Sequence, residues 1–556
     1  MPTDDDSLQR IEALERKVAR LEDELAAARS SGRRALVQQA LMDDRLLTLE
    51  GNRLFRLWNK IYRAAAALYG RLGADQRYGG LSDLRTPGDY DRWVSREQQE
   101  MESEDHRGSI ARWRRQPLIT VCLSGSAGAL NSVRSVIDQC YANWQLCVPR
   151  SLKGELGAAD DSRIRFVDQE EPAGECLFTL HAGDLLSPHA LYFYAQALAE
   201  DESLTLVYAD EDVLDHDGDH TGKRTSPIFK PGWSPELLLS TMYLGRAVLR
   251  RGVGANVRHI PRVLYHRAAS TSVEHSTPQY NAPPDARLSL IVCSREVRQV
   301  RQCLQAIKAT AVVALELLVV HHLDAGNGDD MRRCVEQFSG EWIPYRGPFD
   351  FARMNNLAAA KATASHLLFL NDDVIVQQPG WDLALAATLT RAEIGVAGAI
   401  LEYPNGTTQH AGVVVGMGDG AGHCGRFQMS SDLWPWLRMT RDVTAVTGAM
   451  LGIRAEVFHK LQGFDEAFPV NYNDVDLCLR VREAGLRVVC LDLGKVIHRE
   501  SQTRIGGTRH EEREALYRKW PKVLAAPDEF YSIHLAPFER IALNTGVSDN
   551  PLKDLL

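Results

Sequence analysis

The sequence predicts an α/β protein made of two doubly wound, Rossmann-like domains in tandem, preceded by an N-terminal helical segment that carries a coiled-coil pattern. Three observations carry this reading. Short β-rich runs alternate with amphipathic helical patterns, which is the signature of a mostly parallel sheet with helices packed on it. The alternation occurs twice. A strand over 118–123 leads into a helical pattern that runs to Gln139, and a strand over 288–293 leads into a helix containing Val300, Cys303, Leu304 and Ile307. Each pass closes on a strand that ends in histidine, His266 in the first and His498 in the second.

At 556 residues the chain is too long for one core at ~100–200 residues per domain. We divide it into a helical segment (1–69), a linker with a short helix around Trp93 (70–116), a first α/β domain (117–269), a linker rich in Ser, Thr, Pro and Asn (270–286), a second α/β domain (287–510) and a C-terminal helical extension (511–556). Within 7–29, Ile11, Leu14, Val18, Leu21 and Leu25 fall at heptad a and d positions. The pattern falls short of the ~3–4 heptads that define a coiled coil. It therefore fits a homodimer formed through this helix and a helix packed on its own chain equally well.

A formal net charge of −9 provides no overall basic field for nucleic acid. The ten cysteines contain no C-x-x-C pair, as expected of buried thiols in a reducing compartment. The acidic start at Asp4, Asp5 and Asp6 is unlike a secretory signal. Apolar runs such as 394–401 are far below the ~18–20 residues of a spanning helix. The expectation is a cytoplasmic protein without a transmembrane segment, at most peripheral at the inner face of the membrane.

In open α/β sheets ligands bind beyond the carboxyl ends of the strands. Asn371, Asp372 and Asp373 directly follow the apolar strand 366–370, so a carboxylate there can share Mg²⁺ or Mn²⁺ with substrate phosphates. The bland reading is a turn that caps a helix. The run from Asn473 through Asp474 and Val475 to Asp476 precedes an amphipathic helix. One of its carboxylates suits an N-cap and another suits general-base work on a hydroxyl. His498, after a strand, can complete a metal shell as neutral imidazole.

Together these runs resemble the family 2 glycosyltransferases of GT-A fold, in the branch that builds bacterial surface polysaccharides such as O-antigen. The matching motifs extend from about Leu288 to Arg504 and include Met354-Asn355-Asn356, Gln409-His410-Ala411-Gly412, Ala445 to Ala449, Gly463-Phe464-Asp465-Glu466, Asn473 to Arg480, and His498 to Ser501. The resemblance implies an inverting transferase with a nucleotide-sugar donor and a glycan or lipid-linked glycan acceptor. It implies Asp474 as the base, Asp373 and His498 at a divalent metal (Mn or Mg), and Ser294, Arg295, Glu296, His321, Asn371, Asp372 and Arg504 along the donor. Gln409, His410, Thr447, Gly448 and Asp476 belong to its acceptor or other motifs.

The first domain resembles a companion of this branch, through Tyr208 to Asp212, Phe229 to Leu239 and His259 to His266. It is expected to be degenerate, because Gly183 stands where the metal carboxylate belongs and no acidic helix lies between Arg250 and Arg258. His321 and His322 close a strand where the family carries an aspartate for uracil, so a relaxed base choice or a non-uridine donor is expected. Two rivals stand beside this reading: a nucleotidyltransferase on a similar fold, and a non-catalytic glycan-assembly scaffold.

Overall fold

The computed structural model describes residues 89–544 except 157–160, 169–174, 216–222, 253, 269–275, 277, 284, 324–327, 430–434, 500–509, 537–540 and 542. The helical segment 1–69, its heptads at 7–29, and Arg504 lie outside the described residues. The first repeat comprises β1 (Ile119–Ser124), β2 (Trp144–Pro149), β3 (Ile164–Val167), β4 (Cys176–His181), β5 (Leu185–Leu186), β6 (Leu206–Asp215), β7 (Lys223–Ile228), β8 (Val248–Arg250) and β9 (Val257–Arg267). The second begins with β10 (Arg287–Ser294), β11 (Ala314–His322), β12 (Glu341–Tyr345), β13 (His366–Asn371), β14 (Val374–Val376), β15 (Ile394–Ala399), β16 (Leu401–Glu402) and β17 (Thr408–His410). It continues with β18 (Val413–Val415), β19 (Ala421–His423), β20 (Arg441–Asp442), β21 (Met450–Arg454), β22 (Arg487–Leu491) and β23 (Val496–His498).

The two main sheets share one strand order. It runs β3-β2-β1-β4-β8-β6-β9 in the first repeat and β12-β11-β10-β13-β21-β15-β22 in the second. Both faces of these sheets are covered, so their central strands read as continuous apolar runs. In β10 every residue from Leu288 to Ser294 is buried. The sheets are not wholly parallel, because β8 and β21 run antiparallel to both of their neighbours. Nothing in so short an apolar run encodes direction. The long excursion through β16 to β20 brings the chain back reversed.

A second, four-stranded sheet in the order β14-β23-β16-β17 sets His498 opposite Val374. This small sheet positions the site. The pairing recurs in the first repeat, where β5 meets β9 with Leu185 opposite His266.

Both repeats fall within one compact unit, 79–503 with 508–545. They share a core in which Tyr90, Trp93, Phe229 and Leu237 pack with Val414, Met417, Trp436 and Leu535. Ser234 donates through Oγ to Asp442 Oδ2 at 2.8 Å, and the Glu236 amide donates to the same oxygen at 3.1 Å.

Two sequence expectations change here. The stretch read as a linker contains the helices Asp89–Ser103 and His106–Arg112, and Tyr90, Trp93 and Met101 are buried against the first repeat. Its polar average hid one apolar stripe. Among the described residues the C-terminal extension is helical only over His510–Lys519 and Pro521–Ala525. Pro527 follows, and a proline disfavours helix at the residue before it. The chain then runs irregularly, with the Gly232 amide donating to Glu529 O at 2.9 Å and the Val415 amide to Asp528 Oδ2 at 2.8 Å, so it ties the repeats together. No helix among the described residues is long and apolar enough to cross a membrane, and all ten cysteines are free thiols.

Candidate active site

The Asn371–Asp373 turn connects β13 to β14, and β14 pairs with the strand that ends in His498. This brings Asp373 Oδ1 to 3.1 Å from His498 Nε2, and Asn371 Nδ2 lies 3.3 Å from the same nitrogen. Both Asp373 and His498 are buried. His498 Nδ1 is also buried and has no hydrogen-bond partner among the described residues.

Ser294, at the carboxyl end of β10, donates its hydroxyl to Asp372 and accepts the Glu296 amide at 2.9 Å. Burial above all pushes the Asp372 carboxyl up to about 7; Asp373 and Glu296 raise it further, whereas the Ser294 hydroxyl and His498 act the other way. Glu296 occupies the N-cap position of the helix Val297–Thr310 without a side-chain cap bond, and Arg295 beside it is exposed.

Asp474 reaches the same region through a different element. It lies in the first turn of the helix Asn473–Glu483, which Tyr472 enters with φ +61°, a left-handed conformation that costs a non-glycine residue of order 1–2 kcal/mol. Its Oδ2 accepts the Gly448 amide at 2.7 Å and its Oδ1 accepts the Val475 amide at 2.8 Å. Ala449, next to Gly448, accepts the Asn371 amide at 2.9 Å. One amide-to-carboxylate and one backbone hydrogen bond, through the adjacent Gly448 and Ala449, thus connect Asp474 to the Asn371–Asp373 turn.

His410 is buried and far below its ordinary pKa, first through burial and then through His423, Arg441 and His498. Its Nε2 accepts the Thr447 amide at 3.4 Å. Its Nδ1 therefore carries the proton and donates to His423 Nδ1 at 2.8 Å. Gly412 ends this motif at φ +89°, and a Cβ there would meet Val443 Cγ1 at 2.7 Å, so only glycine fits the turn.

Some expected site residues sit elsewhere. Asp476 is fully buried on the far side of its helix, held by Arg480 Nε at 2.8 Å, Trp520 Nε1 at 2.9 Å and Lys519 Nζ at 2.7 Å. Two residues after Asp474 on a helix means about 200° of rotation, which turns it into the core. His321 is also fully buried, and its Nδ1 accepts from Trp342 Nε1 at 3.3 Å. It presents no open edge to a base in this conformation.

The first repeat corrects a third expectation. Asp184, not Gly183, immediately precedes the strand that faces His266, as Asp373 precedes the strand that faces His498. The carboxylate is retained but occupied: Asp184 accepts from Arg246 Nη1 and the Tyr265 hydroxyl, each at 2.7 Å, and from the Ala268 amide at 2.8 Å. His266 is taken by Asp212 at 2.6 Å. The first repeat passes from β8 to β9 through 251–256 alone, whereas 455–486, with the helix Asn473–Glu483, separates β21 from β22.

Sequence reasoning missed His423 and Arg246, because neither lies in a motif or a periodic run. For a divalent metal, Asp373 and His498 form a compatible donor pair, close enough to share one small cation. No group of three or more His, Cys, Asp or Glu suited to a metal occurs among the described residues. Mg²⁺-type sites commonly take only one or two protein carboxylates and leave the rest of the shell to phosphate and water.

Residues 283–516 match the family described as glycosyltransferase like family 2. The chain is 30% identical over 535 residues to the O-antigen biosynthesis protein RfbC of Myxococcus xanthus, covering 77% of this chain and 41% of that protein. It is 27% identical over 518 residues to the uncharacterized protein y4gI of Sinorhizobium fredii (strain NBRC 101917 / NGR234), covering 74% and 56%. The chain thus spans about two fifths to just over half of the length of these relatives. Among solved structures, GalNAc-T7 with UDP, GalNAc and Mn²⁺ aligns at 11% identity and a TM-score of 0.34, over 43% of this chain and 49% of that one. The mannosyltransferase PcManGT of Pyrobaculum calidifontis, in complex with GDP-Man and Mn²⁺, aligns at 14% and 0.31, over 43% and 72%. The segment 283–516, which holds Asp373, Asp474 and His498, is thus the part of the chain that is similar to the family 2 glycosyltransferases.

Proposed function

We propose that the chain is an inverting, metal-dependent glycosyltransferase that moves a sugar from a nucleotide-diphosphate donor to a hydroxyl of a growing bacterial surface glycan of O-antigen type. The observation that carries this reading is the convergence of the Asp373–His498 pair, 3.1 Å apart, with Asp474 held on the Gly448 amide at 2.7 Å. The kinship with an O-antigen biosynthesis protein supports the acceptor class.

Asp373 and His498 would hold Mn²⁺ or Mg²⁺, which when bound stabilises the negative charge that develops on the leaving diphosphate. Ser294 and Asp372, at the ends of adjacent strands, line the nucleotide side together with Arg295 and Glu296, and Arg504 completes it. Asp474 accepts the proton of the acceptor hydroxyl as that oxygen attacks C1. The Gly448 and Val475 amides fix its orientation. The protein works at the inner face of the cytoplasmic membrane on a glycan or lipid-linked glycan, and 7–29 joins two copies.

The test is thermal stability against a panel of nucleoside diphosphates and nucleotide sugars, with and without Mn²⁺. A cognate ligand at 100 times its Kd adds about 2.7 kcal/mol to native stability. The expected shift requires Mn²⁺ and disappears in Asp373→Ala. Absence of any shift across the panel would favour the scaffold.

A further inference from the structure

The four-stranded sheet continues past His498 to a group of side chains that the mechanism above does not use. Tyr403 directly follows β16, and the Phe427 amide donates to Thr408 O of β17 at 2.9 Å. The two rings stack with centroids 5.3 Å apart and planes within 3°. The Arg426 guanidinium lies over the Phe427 ring at 4.8 Å, and its Nε donates to the Tyr403 hydroxyl at 2.9 Å. Phe427 adopts φ +63°, a left-handed conformation costly for a bulky residue. The residue is nevertheless 42% exposed. Burial of the ring therefore does not offset the strain, and strain of this kind is characteristic of ligand clamps.

A second observation lies on the neighbouring strand. Leu401 pairs with His410 and Glu402 with Thr408, so Gln409 is the extra residue of a β-bulge, a feature that re-aims a side chain. Gln409 is 3% exposed, and its Oε1 has no hydrogen-bond partner among the described residues. A buried carbonyl left this way costs ~1–3 kcal/mol unless a ligand supplies a donor.

The strand order β14-β23-β16-β17 puts these groups in sequence after Asp373 and His498. Adjacent strands lie about 4.8 Å apart, so Tyr403 starts one strand from His498 and Gln409 lies one strand further. That spacing suits a sugar ring next to the reacting centre, on its acceptor side.

We infer that Tyr403, Arg426, Phe427 and Gln409 form the acceptor subsite, in which a pyranose of the glycan lays its C–H face on the electron-rich aromatic surface. Its hydroxyls donate to Gln409 Oε1 and accept from Arg426. The inference rests on the transferase reading of the same site.

The experiment titrates wild type and Phe427→Gly with methyl α-rhamnoside, methyl α-mannoside, methyl β-glucoside and methyl β-galactoside by saturation-transfer NMR. Nucleoside diphosphates with Mn²⁺ are titrated in parallel. Glycine is at ease at positive φ, so this variant removes the ring without adding strain. At least one methyl glycoside is expected to bind wild type through its ring protons and to bind Phe427→Gly about fivefold or more weakly. The affinity for nucleoside diphosphate with Mn²⁺ should change by less than about twofold. Gln409→Leu, similar in volume but without the carbonyl, should weaken the same glycoside, whereas Tyr403→Phe, which keeps the stack, should retain it. Unchanged binding in Phe427→Gly, or no methyl glycoside bound by wild type, overturns the subsite. Failure of every nucleoside diphosphate to bind wild type with Mn²⁺ overturns the transferase reading instead, whatever the glycosides do.

Discussion

Arg246 donates to Asp184 at 2.7 Å, in the place where the second repeat sets His498 3.1 Å from Asp373. The two aspartates precede matching strands, each paired with a strand that holds a histidine. In the first repeat the compensating positive charge is thus built into the chain. A guanidinium has no acceptor and no open coordination position, so it neutralises the carboxylate without offering metal chemistry. No helix corresponding to Asn473–Glu483 occurs in the first repeat among the described residues.

Asp373 and Asp474 should separate experimentally. Asp373→Ala is expected to remove Mn²⁺-dependent donor binding. Asp474→Asn should keep donor binding and lower transfer ~10²–10⁴-fold. The comparison is donor affinity by calorimetry against initial transfer rate, and full turnover in Asp474→Asn would remove the base assignment.

Arg246→Ala tests the built-in cation. Asp184 is 1% exposed, and removing its charge partner leaves a buried carboxylate with only a hydroxyl and an amide. A cost of about 3 kcal/mol is expected in urea denaturation. Donor affinity should not change in the folded protein. A loss of donor binding matching that of Asp373→Ala would place the first repeat in the active site.

Glu236 joins the repeats by accepting from Arg391 Nη1 at 2.8 Å, Arg391 Nη2 at 2.5 Å and Arg487 Nη2 at 3.0 Å. Glu236→Gln should cost about 2–3 kcal/mol, because two arginines lose a buried counter-charge. Wild type is expected to unfold in one calorimetric transition and the variant to show broadened or separated transitions. A single transition at an unchanged temperature would show that the shared apolar core alone couples the repeats.

Glu97 provides a pH signature for the docking of the helix Asp89–Ser103. Its carboxyl is pushed from about 4.5 up to about 7, first by burial, with Arg224 opposing. The native state therefore holds this proton more tightly than the unfolded chain. Its contribution to stability is fully present below about pH 4.5 and is lost as pH rises through about 7. The swing is at most about 3 kcal/mol. Melting temperatures of wild type and Glu97→Gln, measured from about pH 5.5 to about pH 8, should show the variant gaining on wild type as pH rises. A difference that is flat, or that shrinks towards high pH, would contradict this.

The sequence by itself determined the α/β class and the tandem repetition, and it singled out candidate residues for the chemistry. Buried strands such as 288–293 must be continuously apolar, and the polar residues that follow them must lie at a sheet edge. Asn371, Asp373, Asp474 and His498 were therefore legible from their neighbours. What lies across space from a residue was not. Asp476 reads like Asp474 along the chain, yet helical rotation buries it on Arg480 and Trp520. Gly183 reads as a lost ligand, yet the pairing of β5 with β9 shows that Asp184 keeps the place and that Arg246 fills it. Tyr403 and Phe427 stack 5.3 Å apart although the sequence gives neither a motif, and His321 withdraws onto Trp342. Local pattern fixes which face of an element is apolar. Only the packing of distant elements decides which charge meets which partner, and so where each of two similar carboxylates is held.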